Sequence, residues 1–208
     1  MAVTRSAAGT RRSQAERREQ TRNALLEAAA RGLSRHGYAS LVLERVASEA
    51  GYTRGALYHL FANKDDLALA VVTWVDETWT AEVSRPAAAL ADPVEALLAV
   101  ARGHAVFCRR DVARVMNSLR VEFTDRDHPV ARAIKEITDR LIGLCANRIA
   151  AARASGAIPP GPPPRETALA YLGALEGLVI LVAGHVPVDE ELAERAARGI
   201  LGLPPAAG

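Results

Sequence analysis

Hydrophobic positions recur every three or four residues along most of the chain, the spacing of one face of an α-helix. A long first helix is predicted to carry an apolar stripe and to end at Gly37. Strand-like alternation of apolar and polar residues is almost absent. The pattern therefore predicts an all-α protein of nine helices. The eight helices after the first are predicted at about 43–50, 53–61, from 63 to beyond 74, 93–109, 111–123, 129–154, 165–183 and 189–203.

Prolines and glycines divide this pattern. Pro86 and Pro93 are expected to interrupt the chain after the fourth helix, and the proline-rich segment 158–164 is predicted to be a stiff connector. The apolar segment 169–186 reaches the lower length limit of a membrane span but contains Glu176 and three glycines. We expect it to be buried instead, in the core or at a subunit interface.

Charge is unevenly distributed along the chain. Residues 1–64 hold eleven Lys and Arg against five Glu, whereas residues 65–208 hold fifteen against nineteen Asp and Glu. A basic N-terminal part on an acidic body suggests a polyanionic partner at that end. The two cysteines, Cys108 and Cys145, form no metal-binding or disulfide pattern, and residues 1–20 lack the apolar stretch of a secretory signal. A cytoplasmic location is the expectation.

Residues 42–67 have the pattern of a helix-turn-helix. Ala47 is small where two helices must cross closely, and Gly51 suits a left-handed turn position. Thr53 stands where a side chain would cap the next helix. That helix begins with the small residues Gly55 and Ala56, which allow a helix N-terminus to approach DNA closely.

Residues 37–71 resemble the DNA-binding domain of the tetracycline-repressor (TetR) family. The run Ala-Gly-Tyr-Thr-Arg-Gly-Ala-Leu-Tyr-His-Leu-Phe-Ala-Asn-Lys-Asp-Asp-Leu matches the family pattern almost position for position. The resemblance implies a nine-helix homodimer with an N-terminal helix-turn-helix domain and a C-terminal bundle for ligand binding and dimerisation. Residues 1–14 would be a disordered basic arm, 15–63 the DNA-binding domain, and 64–208 the effector-binding and dimerisation domain. Two later segments, 108–124 and 173–178, resemble the AcrR-like branch of drug-efflux repressors.

The resemblance also implies which side chains meet DNA. Thr53, Arg54, Gly55 and Ala56 would begin the recognition helix, with Arg54 reading guanine and Tyr58 and His59 touching backbone phosphate or thymine methyl groups. Further contacts are implied for Lys64, which would bind phosphate, and for the arm arginines Arg11, Arg12, Arg17 and Arg18.

Three positions depart from the family pattern. With Leu41 and Val42 replacing the usual Thr or Ser, the cap of the second helix would pass to Ser40 or be lost. Glu44 stands where a basic or polar residue often reaches DNA. Its carboxylate would repel phosphate or accept a hydrogen bond from cytosine.

Ligand-binding candidates lie in the C-terminal part, although each has a plain structural alternative. Trp74, Trp79, Phe107, Met116 and Phe123 would be core residues or would line a pocket, and Arg120 would be a surface residue or a ligand clamp. Glu176 needs a partner if it is buried, because an unpaired buried carboxylate costs several kcal/mol. It would pair across a dimer interface or face the pocket and hold a cationic or polar effector.

The sequence favours a DNA-binding transcriptional regulator over an enzyme. It contains no nucleophile-elbow, P-loop, zinc-protease or dinucleotide-binding motif, and its five histidines do not have metal-ligand spacing. We expect no cofactor and no metal.

The expected partners are an inverted-repeat operator in double-stranded DNA, a second copy of the chain and a small-molecule effector. No contact with a membrane is expected. The regulator would be a ligand-released repressor of a neighbouring efflux or metabolic gene. The alternatives are an activator of the same fold and a protein-interaction module with a vestigial helix-turn-helix.

Overall fold

A computed structural model describes residues 13–182 and 188–205 of the 208-residue chain. Over these ranges the chain forms nine helices and no β-strand, which confirms the all-α prediction. None of the described helices has the length and hydropathy of a membrane span. The helices are Gln14–His36 (α1), Leu43–Glu49 (α2), Arg54–Leu60 (α3), Lys64–Trp79 with its continuation through Thr80–Ser84 and Arg85–Ala88 (α4), Pro93–Phe107 (α5), Val115–Glu122 after a 3-10 turn at Asp111–Arg114 (α6), Pro129–Ala154 (α7), Pro164–Val182 (α8) and Val188–Leu201 (α9).

Helix α1 begins at a capping box. The Ser13 hydroxyl accepts a hydrogen bond from the Glu16 N–H at 3.1 Å, and the Glu16 carboxylate accepts one from the Ser13 N–H at 2.8 Å. These two bonds satisfy backbone donors that would otherwise have no partner at the helix end. The helix thus already begins at Gln14, the last residue of the segment predicted as an arm. Arg11 and Arg12 lie outside the described residues.

The turn between α2 and α3 has the predicted helix-turn-helix geometry. Gly51 adopts a φ of +77°, which a side chain would disfavour, and the Tyr52 N–H donates to the carbonyl of buried Ala47 at 2.9 Å. The Thr53 hydroxyl accepts from the Ala56 N–H at 3.2 Å. The predicted roles of Gly51 and Thr53 are therefore confirmed, and together they fix where α3 starts.

Helix α2 begins without a side-chain cap. Its first flanking residue is Val42, in an extended conformation and with no side-chain hydrogen bond to the helix. Ser40 lies exposed in the preceding turn, so its predicted capping role is wrong and the cap is lost. The physical reason is spacing, since the helix starts too far along the chain for the Ser40 hydroxyl to reach its first amides.

A shared core joins the helix-turn-helix to the rest of the molecule. Leu25 of α1, Leu57 of α3 and Leu67 of α4 are fully buried in one continuous apolar cluster. Burying a leucine side chain stabilises a fold by roughly 1.5–3 kcal/mol. Helix α4 then runs on into the body, so the apolar cluster that contains Leu57 of the recognition helix continues into an element that both parts share.

Helix α4 passes through Pro86 instead of ending before it. A π-helical turn at Thr80–Ser84 precedes the proline, and within it the Arg85 N–H donates to the Thr80 carbonyl. Proline lacks an N–H and normally crowds the carbonyl four residues earlier. The wider π turn relieves that crowding, and the helix ends at Ala88. The predicted interruption at Pro86 is therefore wrong, whereas Pro93 does begin a new helix.

A buried ion pair attaches the start of α9 to the end of α5. Asp189 is 2% exposed, and its carboxylate accepts two hydrogen bonds from the Arg109 guanidinium, at 2.8 and 2.9 Å. This Arg109 hydrogen bonding holds the pKa of Asp189 below its ordinary value. The acidic residues 189–191 lie at the positive N-terminal end of α9, and Asp189 in addition forms this specific tertiary contact.

We expect Asp189→Asn to lower the free energy of unfolding by about 1.5–3 kcal/mol at neutral pH, the range for hydrogen bonds to charged groups. Because the pKa of Asp189 is lower in the native state, the pair stabilises the protein above the ordinary aspartate pKa of about 3.9. That stabilisation is lost as pH falls through the lowered native pKa. Urea unfolding at pH 7 and pH 3 tests both points.

Asp111→Asn is the matched control, since Asp111 pairs with Arg35 at 2.8 Å in an exposed position and such pairs contribute little. Equal losses in the two variants would contradict a special role for the Asp189 pair.

Candidate DNA-binding surface and ligand cavity

Helix α3 presents a polar face to solvent. Arg54, Gly55, Tyr58 and His59 are exposed, and Thr53 just before them is exposed as well. Leu57, on the opposite side, is fully buried, whereas Ala56 is half-buried. The α3 side chains predicted to meet DNA are thus at least partly accessible on one short helix.

Arg54 is held by two neighbours on this surface. Its Nε lies 3.1 Å from a carboxylate oxygen of Glu44, and its guanidinium carbon lies 5.2 Å from the centre of the Tyr58 ring. Arg54 and Glu44 remain 67% and 49% exposed, so the pair is accessible. Glu44 therefore faces an arginine of the recognition helix in the free protein and orients it, a role that sequence reasoning missed.

Two arginines of α1 lie across a groove from α3. Arg17 and Arg18 line this groove from one side, and Ala56 and His59 line it from the other. Guanidinium groups beside an exposed helix are suited to phosphate oxygens. The fold thus brings together four of the predicted contact residues, which are separated by almost forty positions in sequence.

Lys64 has a different environment from the one predicted. Its Nζ donates to the Ala39 carbonyl at 2.9 Å and lies 4.5 Å from the centre of the Tyr38 ring. The side chain is half-buried and binds the turn between α1 and α2. Lys64 therefore makes intramolecular contacts in the free protein, and its predicted binding of phosphate stays a prediction.

Glu122, at the end of α6, binds the same turn. Its carboxylate accepts hydrogen bonds from the N–H groups of Tyr38, at 2.5 Å, and Ala39, at 2.7 Å. Gly37 has a φ of +74°, and a β-carbon there would lie 2.8 Å from the carboxylate. Glycine is needed at this point both for the backbone conformation and for the close approach of Glu122. The Glu122 carboxylate is thus one of the contacts between the body and the helix-turn-helix.

A cavity of about 70 Å³ lies between α4, α5, α6, α7 and α8. Four of the predicted ligand-binding residues line it: Phe107, Met116, Arg120 and Glu176. Trp79, considered above as a core or pocket residue, also lines it, as do His104 and Cys108. The sequence signal for these last two is their spacing, since residues 104, 107 and 108 fall on one face of a helix.

His104 is neutral in this cavity. Burial lowers its pKa, and the Trp79 Nε1–H donates to His104 Nδ1 at 3.1 Å, which leaves the ring proton on Nε2. The Cys108 sulfur lies 3.6 Å from that Nε2. Burial, assisted by the negative charge of Glu176, raises the pKa of Cys108 to about 12, so the thiol stays protonated.

Glu176 faces the cavity from α8. Its carboxylate accepts a hydrogen bond from the Asn117 side-chain amide at 2.8 Å. Arg120 in turn donates to the Asn117 carbonyl oxygen at 3.0 Å and to the Thr138 hydroxyl at 3.2 Å. Glu176 thus lines the cavity, which is one of the two positions predicted for it.

Two predicted ligand residues do not line this cavity. Phe123 is buried against the Tyr38 ring, with centroids 4.9 Å apart, and stacks on His128 at 4.4 Å. Trp74 lines a separate hollow on another side of α4. Helical rotation explains the second case, since residues five apart point in different directions and only Trp79 faces the cavity.

Comparison with known proteins identifies the N-terminal part. Residues 25–71 match the family model described as bacterial regulatory proteins, tetR family. CymR, an HTH-type transcriptional regulator of Pseudomonas putida, is 41% identical over 70 residues, which are 34% of this chain and 34% of CymR. The match to this curated relative thus spans about a third of its length.

Solved structures agree over almost the full length. A TetR-family transcriptional regulator of Streptomyces coelicolor, SCO4454, is 22% identical, with a TM-score of 0.73 over 88% of this chain and 95% of that one. AibR, solved in complex with isovaleryl coenzyme A and operator DNA, is 21% identical, with a TM-score of 0.71 over 88% of this chain and 100% of AibR. Residues 25–71 thus match the tetR family model, and the chain as a whole shares the fold of these solved structures.

Proposed function

We propose that this chain is a homodimeric transcriptional regulator that binds an inverted repeat in double-stranded DNA and responds to a small molecule. The observation that carries the proposal is the exposed face of α3, where Arg54, Tyr58 and His59 lie beside Arg17 and Arg18 of α1. One short helix reads few base pairs, so a two-fold pair of α3 helices is needed for useful specificity. Residues 15–63 would form the DNA-binding domain and 64–208 the effector-binding and dimerisation domain. A cytoplasmic location follows from this proposal.

The outer face of α8 supports dimerisation. Leu169, Ile180 and Leu181 are 58%, 67% and 81% exposed, and Gly173 and Gly177 lie between them on the exposed side. Large apolar side chains gathered on one exposed face favour a protein partner. A second α8 with its α9 would cover this face in a four-helix arrangement.

Ile180→Glu should prevent dimerisation, because it would place a charge in an apolar interface. Light scattering after size exclusion at micromolar concentration should show a monomer for this variant and a dimer for the original chain. Val121→Glu is the control, since Val121 is also exposed, at 77%, but lies on α6. A dimeric Ile180→Glu protein would contradict the proposed interface.

The cavity between α4 and α8 is the proposed effector site. Its volume of about 70 Å³ is well below the roughly 300–1,000 Å³ typical of drug-sized ligand pockets. An effector must therefore displace cavity walls, and α6 carries both a wall residue, Met116, and Glu122 on the helix-turn-helix turn. Binding would favour a state in which the two α3 helices no longer fit successive major grooves. AibR, solved with effector and operator together, supports assigning both sites to this fold.

We propose further that the chain is a TetR-family regulator of the AcrR-like branch and represses a neighbouring efflux or metabolic gene. The match of residues 25–71 supports the family, and the segments 108–124 and 173–178 support the branch. Transcript levels of the adjacent genes in a deletion strain test this assignment. A rise supports repression, and a fall supports the activator alternative.

Selection of duplexes from a random-sequence pool tests DNA recognition directly. We expect an inverted repeat with half-site centres about 34–36 Å apart, one helical turn, or a multiple of that spacing. Affinity for it should exceed that for random duplex and fall steeply with salt. Weak retention without sequence preference would contradict the proposal and favour the vestigial helix-turn-helix.

A further inference from the structure

The cavity contains a carboxylate whose charge is not balanced by a neighbouring cation. Glu176 is hydrogen-bonded to the neutral amide of Asn117. Among the described residues, no lysine, arginine or histidine forms an ion pair with it. An anion in a largely apolar cavity without such a partner is unfavourable, and a cationic ligand would relieve that cost.

The other polar groups of the wall do not supply the missing charge. His104 is held neutral by burial and by the Trp79 hydrogen bond, and Cys108 stays a thiol. Asp76 adds a second carboxylate, but it is already paired with Arg140 at 2.6 Å. Arg120 also lines the cavity, but its guanidinium forms no ion pair with Glu176, and its hydrogen bonds are made to Asn117 and Thr138.

The remaining wall suits the apolar body of such a ligand. Trp79 and Phe107 contribute aromatic rings, and Val100, Leu141 and Leu172 contribute aliphatic surface. Aromatic faces attract cations, most strongly in places shielded from water. A quaternary or primary ammonium group attached to a small apolar body therefore matches both the charge and the lining.

We propose that this cavity binds a small organic monocation, with its ammonium group beside the Glu176 carboxylate and its apolar body against Trp79 and Phe107. The inference rests on the proposed effector role of the cavity and names the ligand class. An organic anion would meet the carboxylate of Glu176, and a neutral ligand would leave the carboxylate without a counter-charge. The cavity volume of about 70 Å³ favours a body of one ring or less, admitted by small wall movements.

Isothermal titration with three probes of similar size tests the ligand class on the full-length protein. Benzyltrimethylammonium carries a permanent positive charge, benzyl alcohol is neutral, and phenylacetate is negative. We expect the cation to bind most tightly and phenylacetate most weakly. Tighter binding of the neutral or the anionic probe overturns the proposal, and so does the absence of cation binding.

The variant Glu176→Gln tests the residue. We expect it to reduce affinity for the cation by roughly 10- to 100-fold, the equivalent of losing one contact to a charged group, and to change benzyl alcohol binding little. Glu166→Gln, the same change at an exposed position of α8, should leave both unchanged. Undiminished cation binding by a folded Glu176→Gln protein overturns the proposal. The probe series on the unmodified chain decides the question if that variant does not fold.

Operator binding measured on the same preparation separates this inference from the proposed function. If an inverted repeat is selected but the cation does not bind, the ligand class is wrong and DNA recognition stands. If the cation binds through Glu176 but no duplex is selected, the ligand class stands and the proposed regulator function is wrong.

Discussion

Replacing Arg54 with alanine should lower the affinity of the dimer for its selected inverted repeat by at least about 30-fold, without changing its oligomeric state. A bidentate contact between arginine and guanine contributes about 1–3 kcal/mol of discrimination, and a two-fold dimer makes it twice. The loss is then about 2–6 kcal/mol, and each 1.4 kcal/mol corresponds to a factor of ten. Gel shift or fluorescence anisotropy with selected and scrambled duplexes measures it.

The surroundings of Arg54 supply the reason for a large effect. Its guanidinium is 67% exposed at the start of α3, and Glu44 and Tyr58 restrict its motion. A side chain that is accessible and already oriented loses less entropy on binding. Arg54→Lys should rescue only part of the affinity, because an ammonium group cannot make the planar two-bond contact.

The variant Glu44→Gln tests how much of the effect of Arg54 depends on its orientation by Glu44 and how much on the contact of Arg54 with DNA. It keeps the size of the side chain but weakens the pair with Arg54, so we expect a smaller loss than for Arg54→Ala. If Arg54→Ala leaves both affinity and sequence preference unchanged, α3 does not read bases through this residue.

The helix-turn-helix could be predicted from sequence because its determinants are local. Gly51 fixes a turn through its own backbone conformation, and Thr53 caps a helix three residues away. The apolar period likewise assigns Leu57 to the buried side of α3. Each of these features depends on neighbours within about one helical turn, which is the range that a sequence pattern describes.

The cavity and the contacts around it could be predicted only in part, because they depend on helices distant in sequence. Periodicity shows that a residue faces inward, but not whether it meets a cavity or another ring. Phe123 was thus expected among the ligand residues, whereas it packs on Tyr38, more than eighty positions away. The contact of Lys64 with the Ala39 carbonyl could not be predicted either, because the two residues are 25 positions apart in sequence.

The contact made by Glu122 also could not be predicted from the sequence, because its partners are distant along the chain. It matters more for function, since it joins α6 to the helix-turn-helix. In sequence Glu122 is an acidic residue near the end of a helix, which is typical of a solvated surface position. In the fold its carboxylate accepts from two backbone N–H groups of the turn between α1 and α2. Because α6 also carries Met116 of the cavity wall, one short helix contacts both proposed sites.

Replacing Glu122 with alanine should lower the free energy of unfolding by about 3 kcal/mol. Hydrogen bonds to a charged group contribute roughly 1.5–3 kcal/mol each, and the exposed Ala39 amide can partly turn to water. The Tyr38 and Ala39 amides should exchange faster with solvent, and operator affinity should fall, because the turn that positions α2 loses its contact with the body. Chemical denaturation, amide exchange and gel shift measure the three effects.

Glu136→Ala, at an exposed position of α7, is the control and should change none of them. Normal stability and normal amide exchange in Glu122→Ala would show that the turn is held by its other contacts, Lys64 and the Phe123 ring, and that Glu122 does not connect α6 to the helix-turn-helix.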